Sequence, residues 1–259
     1  MKKIIVSLLI LSVQYLHAQN EKVIEQKLLK TFKQIHYWVD HRESSDKVSS
    51  YDSIASVNEI FLADLLKYTS ANPSTIGYPF KALQKEGLTI ITSADGLFRI
   101  YSWNTFMGGS AHNFDIMYQY KYNNKVVSKV PGFVYDEGDA GASYDAIHSV
   151  NAGNKTYYLG VCLASFSSKD CYQTIKAFTI ENNSLNDSVQ IIKTKTGIKN
   201  ELSFAFNFFL LEGHDERPLK LVYYDKEKKI LKIPVVTEEG KVTSKFISYK
   251  FTGKYFEKI

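Results

Sequence analysis

The spacing of apolar residues changes once along this chain, near residue 88, and that change limits the folds open to it. Before it, Val23, Leu28, Phe32, Ile35 and Val39 form one stripe, and Ile54, Val57, Phe61, Leu65 and Leu66 form another. Steps of three and four residues are the period of amphipathic helices. Asn20 suits an N-cap for the first helix, and Asn72-Pro73-Ser74 stops the second. A short third helix is expected over 79–85, ending near Gly87. After residue 88 the period is two. The runs 88–94 and 97–103 flank Asp95-Gly96, a strong hairpin turn, which sets Ile90 opposite Tyr101 and Ile91 opposite Ile100.

Further turns at Asn123-Asn124, Ala152-Gly153-Asn154, Ser167-Ser168, Glu181-Asn182-Asn183 and Glu239-Gly240 separate more short strands. Expected strands include 117–122, 156–164, 172–180, 219–224, 230–236 and 246–251, and the apolar stretch 204–211 reads as a buried strand. The expected fold is therefore α+β. N-terminal helices over 19–87 precede an antiparallel β meander over 88–259, propeller-like or a sandwich.

The first 18 residues have a different character. Lys2 and Lys3 precede an apolar run over 4–13, and Leu16-His17-Ala18 offers a small residue at a cleavage point. That is the layout of a secretory signal peptide, and the run is too short to span a bilayer. Cleavage after Ala18 predicts a periplasmic or secreted chain with no membrane span in its mature form. Without Lys2 and Lys3, 30 of the 32 basic residues remain against 27 acidic ones. A net charge of +3, spread evenly, argues against a nucleic-acid groove. Export also bears on the two cysteines. Cys162 and Cys171 flank a turn-rich stretch, so a cross-strand disulfide is expected if their Cα atoms come within about 4.4–6.8 Å. Two free buried thiols are the alternative.

The stretch Ser93-Ala94-Asp95-Gly96-Leu97-Phe98-Arg99-Ile100-Tyr101-Ser102-Trp103-Asn104-Thr105, followed by Gly108-Gly109, resembles a segment of uncharacterised secreted or periplasmic proteins of Bacteroidota. The resemblance extends roughly over residues 54–120. It implies a signal peptide, an N-terminal helical part and a β-rich remainder. It implies no catalytic residue.

Motifs with chemistry are few. Gly108-Gly109-Ser110-Ala111-His112 fails as a nucleophile elbow, because His112 stands where a small residue is needed. His112 with Asp115 could orient a base, but no nucleophile accompanies them. The loop 136–145 holds Asp136, Glu137 and Asp139 on a glycine-rich turn, hard oxygen ligands that could hold Ca2+ although the spacing is not that of an EF-hand. This loop and the Gly108-Gly109 turn are the expected place for a ligand. Trp103, Tyr118 and Tyr120, with Tyr101 and Tyr122, are candidates for stacking on sugar rings if they lie on an exposed face. No catalytic constellation is identifiable. The leading expectation is an exported cell-envelope binding or structural module whose partner is a glycan or an envelope protein. The alternatives are a polymer-degrading hydrolase using Asp136, Glu137 or Asp139, and an inhibitor or immunity-type partner protein.

Overall fold

A computed structural model describes residues 2–42, 47–109, 112–131, 140–211 and 219–259, with side chains from Asn20 in the first helix and from Ser50 in the second. Three helices come first: α1 (Lys2–Asp40), α2 (Lys47–Ala71) and, after a 3-10 turn over Pro73–Gly77, the short α3 (Lys81–Lys85). Ile24, Leu28, Phe32 and Ile35 form the buried face of α1, and Ile54, Val57, Phe61 and Leu65 that of α2. Val23, expected in the stripe, points outward; Ile24 takes its place because steps of four, four and three track one helix face better than a step of five. Glu25 reaches from α1 to the start of α3, where its carboxylate accepts from the Ala82 N–H at 2.7 Å and the Tyr78 hydroxyl at 2.8 Å. These bonds satisfy a helix-start donor that has no partner within α3.

The strands follow as β1 (Thr89–Thr92), β2 (Phe98–Asn104), β3 (Phe114–Tyr122), β4 (Lys125–Lys129), β5 (Ser143–Ala152), β6 (Lys155–Ser165), β7 (Asp170–Glu181), β8 (Ser184–Asn186), β9 (Ile192–Thr194), β10 (Gly197–Lys199), β11 (Glu201–Asn207), β12 (Tyr223–Asp225), β13 (Ile230–Val236), β14 (Val242–Phe251) and β15 (Phe256–Lys258). They make three sheets. The first runs β1-β2-β3-β4; the second β11-β7-β6-β5, with β8 on β7; the third β10-β9-β15-β14-β13-β12. All pairs are antiparallel except β15 with β9. The first hairpin has the expected register, Ile90 opposite Tyr101 and Ile91 opposite Ile100.

The buried clusters show how the layers meet. Tyr101, Trp103 and Met117, on one face of the first sheet, pack against α1, α2 and α3. Phe98, Ile100, Tyr118 and Tyr120, on its other face, pack against Tyr158, Cys162 and Phe178 of the second sheet. The second sheet's far face, with Leu159, Val161 and Ile175, meets Leu231, Phe251 and Phe256 of the third. The order is helices, sheet, sheet, sheet. The propeller-like expectation is corrected: the strand order closes neither a barrel nor a propeller, because successive sheets cover each other face to face. Gly160 leaves room for the rings of the flanking strands β5 and β7, since a Cβ there would lie 2.8 Å from the Tyr144 ring and 3.0 Å from that of Phe178.

Two other expectations are corrected. The stretch 204–211 is not one buried strand: β11 ends at Asn207, whose side chain accepts from the Phe209 N–H at 3.0 Å to start a 3-10 turn, and Phe209 is 68% exposed. Nor do the cysteines bond. In the β6–β7 ladder Cys171 lies opposite Ser165 and Cys162 opposite Thr174. An offset of three residues in a period-two structure puts the thiols on opposite faces of the sheet. Cys162 joins the cluster against the first sheet, and Cys171 one on the other side. Burial pushes the Cys162 thiol up to about 12, which suppresses its thiolate. A reducing agent is accordingly expected to leave the melting temperature unchanged, and thiol titration of the unfolded chain to find both cysteines free.

Candidate functional site

Tyr101, Trp103, Tyr118 and Tyr120 are core residues, whereas Tyr122 is half-buried. Trp103 is buried under α2, with its ring edge-on to Phe61 at 5.0 Å and its Nε1 donating to Asn58 Oδ1 at 3.0 Å. Tyr118 and Tyr120 do share a face, as their alternation requires, but the second sheet covers it and both are buried. None of the three offers a ring face to a sugar. His112 is exposed, and its Nδ1 lies 3.0 Å from Asn104 Nδ2. It forms no hydrogen bond with Asp115. Asp136, Glu137 and Asp139 lie outside the described residues, as does the rest of the loop 132–139. Among the described residues, no group of three or more His, Cys, Asp or Glu could hold a metal ion.

Beside the Gly108-Gly109 turn, however, the structure contains a cleft of about 370 Å³ between α2 and the adjoining ends of β2 and β3. Asn58, Glu59 and Leu62 line it from α2, Thr105 and Met107 from the segment after β2, and Asp115 from β3. Asp115 stands opposite Trp103 in the ladder and shares its helix-facing side. Gly141 closes the cleft from the segment that leads into β5. Its φ is +60°, and a Cβ there would run into the Phe114 carbonyl oxygen, so only glycine lets the backbone come this close.

Asn58 shapes the cleft's inner wall. Its Nδ2 donates to the Thr105 carbonyl at 3.0 Å and the Ile54 carbonyl at 2.9 Å, while its Oδ1 accepts the Trp103 indole. One amide thus fixes α2 to the end of β2. Asp115 differs from it in having no described hydrogen-bond partner. Withdrawal from water raises its carboxyl from 3.8 to about 6. Glu59 supplies a second, exposed carboxylate to the same cleft. The arrangement offers a carboxyl that changes charge near neutral pH, apolar contact from Leu62 and Met107, and hydrogen-bonding capacity at Glu59. Clefts of this size holding a strongly perturbed titratable group are frequent ligand sites.

A larger groove of about 770 Å³ lies among turns of the first two sheets, with Tyr122, Asn123, Lys155, Glu181 and Asn182 in its lining. Three of its ionisable groups, Lys155, Tyr158 and Glu181, already have partners. Lys155 pairs with Glu181 at 2.8 Å, and the Tyr158 hydroxyl donates to Asp95 at 2.9 Å. The Asp115 cleft is the better candidate because its carboxyl has no described partner.

The raised Asp115 carboxyl has a stability consequence. Its folded-state value lies above its unfolded one, so the folded chain holds the proton more tightly between about pH 4 and 6. The corresponding stability is complete below about pH 4 and lost as pH rises through 6. Asp115→Asn is expected to remove this dependence and to exceed the native chain in stability at pH 7 by about 1–2 kcal/mol. Urea unfolding of both proteins across pH 4–8 checks it.

Glu59 and Asn58 escape a reading of motifs, although Asn58 leaves a trace. It lies four residues from Ile54 on the apolar face of α2, where a polar side chain needs a polar task. No protein-family model matches the chain, and no curated protein or solved structure matches it either.

Proposed function

We propose that this chain is an exported binding module of the cell envelope and that the Asp115 cleft seats its ligand, a polyhydroxylated molecule such as a segment of glycan. The observation that carries this reading is a carboxyl without a described hydrogen-bond partner in a cleft that Glu59 also lines. Sugar hydroxyls both donate and accept, so they can serve Asp115 in either protonation state. The signal-peptide pattern of the first 18 residues and the Bacteroidota-like segment support export. Cleavage after Ala18 would also leave the buried α1 positions Ile24, Leu28, Phe32 and Ile35 in the mature chain.

A glycan array followed by calorimetric titration tests the proposal. The native chain should bind at least one glycan, and Asp115→Asn should weaken that binding about tenfold, the loss of roughly one charge-assisted hydrogen bond. An empty array together with an empty envelope pull-down would sink it.

One observation favours a second reading, a hydrolase. A carboxyl near 6 suits a general acid, and Glu59 provides a second carboxylate in the cleft. Release of reducing ends from a polysaccharide panel, abolished in both Asp115→Asn and Glu59→Gln, would establish turnover in place of binding alone.

A further inference from the structure

The second sheet is narrower than the third. It has four strands side by side, against six in the third, and β11 is its terminal strand. The phase of the β11–β7 ladder follows from one bond, the Ala177 N–H to the Asn200 carbonyl at 2.8 Å. Pairs two residues along from it exchange bonds in the same way, so Leu202, Phe204 and Phe206 turn their backbone groups toward β7. Glu201, Ser203 and Ala205 turn theirs outward. Asn207, next in that outward series, gives its N–H to the Gly240 carbonyl at 2.8 Å. The turn between β13 and β14 thereby closes one end of the edge. No described backbone group takes the N–H of Ser203 or Ala205.

Alongside this edge runs a groove of about 420 Å³. Leu202 and Phe204 form one wall, and Ile233, Val235 and Ile247 of the third sheet lie across from them. None of the residues lining the groove is charged. Edge strands ordinarily carry a lysine, a proline or a bulge that discourages pairing. After Glu201 this one reads Leu-Ser-Phe-Ala-Phe-Asn and has none of them.

We propose that the β11 edge is a docking site for an extended peptide, which adds to the second sheet as a further strand and seats alternate apolar side chains in the groove. The backbone chemistry selects this class of ligand. The outward groups of Ser203 and Ala205 repeat at about 6.8 Å, twice the rise per residue of an extended chain. A glycan or lipid has no donor and acceptor series at that interval. With Gly240 at one end and Glu201 at the other, the edge accommodates about five residues of partner. The site shares no residue with the Asp115 cleft, so the two proposals stand or fall separately.

Ala205→Pro removes one outward N–H and leaves the β7 ladder intact, a change edge strands accept. Val235→Asp places a charge in the groove without touching β11. The probe is a fluorescein-labelled, amidated hexapeptide of alternating valine and threonine, followed by anisotropy on the full chain. Its control is the same peptide N-methylated at alternate residues. The native chain should bind the first peptide and not the control. Each variant should weaken binding at least tenfold while keeping its melting temperature within a few degrees, and Asp115→Asn should bind as the native chain does. Bound peptide should also slow amide exchange at Ser203 and Ala205. If Ala205→Pro fails to fold, Val235→Asp gives the same reading. Absence of binding at millimolar peptide, equal binding of the N-methylated control, or unchanged binding in the folded variants would overturn the proposal. Dimerisation abolished by Ala205→Pro would overturn it too, by making a second copy of the chain the occupant.

Discussion

Replacing Trp103 with alanine is expected to destabilise the protein by about 4 kcal/mol, the range for deleting a large buried ring. Trp103 is 1% exposed, and the indole fills the space between Phe61 of α2 and the first sheet. Its removal leaves a cavity and strips Asn58 Oδ1 of its described donor. Asn58 is itself buried, so its amide oxygen would remain desolvated without a partner. Trp103→Phe separates the two effects: it keeps a ring and loses the hydrogen bond, for an expected cost of about 2 kcal/mol. Urea unfolding should show midpoints in the order native, Trp103→Phe, Trp103→Ala, with unchanged slopes. A ring serving as an exposed sugar platform would give the opposite result, lost binding at native stability.

That contrast shows what the sequence revealed. The period of three and four marked the packed faces of α1 and α2, although α1 runs back through Asn20, the expected N-cap, to Lys2; the Asp95-Gly96 turn set the register of β1 against β2, because both signals are local. The alternation of Tyr118, Tyr120 and Tyr122 placed them on one face, but alternation does not say what covers that face. The second sheet does, and its residues come at least 20 positions later. The cysteines turned on a finer point, since the β6–β7 hairpin formed where expected yet its register left the thiols three residues out of step. Asp115 and Glu59 are 56 positions apart and meet only because α2 crosses the first sheet. No spacing rule anticipates such a pair. The proposed cleft lies beside the Gly108-Gly109 turn, where a ligand was expected, through Met107, and Gly141 closes it.

Arg99 gives the second large expected effect: Arg99→Ala should cost about 3 kcal/mol. The side chain is 4% exposed, and among the described residues no carboxylate pairs with it. Main-chain oxygens hold the cation instead. Its Nη1 donates to the Thr75 carbonyl at 2.9 Å and the Tyr78 carbonyl at 2.6 Å, and its Nε to Thr92 Oγ1 at 2.8 Å. These carbonyls lie in and just after the 3-10 turn that follows α2; that of Thr75 also accepts from the Tyr78 N–H at 3.1 Å, and the C-terminal end of such a turn favours positive charge. Next to Arg99, the Tyr101 hydroxyl donates to Gln119, whose amide donates to Thr75 Oγ1 at 2.9 Å. The first sheet therefore grips the turn through two adjoining polar contacts. Arg99→Lys keeps the charge but not the planar fork, and should recover only part of the loss. Arg99→Leu decides what the bonds contribute. It fills the space and removes the burden of a desolvated cation, so stability close to native would mean that the guanidinium chiefly fixes where the turn docks. A loss as large as that of Arg99→Ala, measured by urea unfolding, would mean that its three hydrogen bonds outweigh the cost of burying the charge.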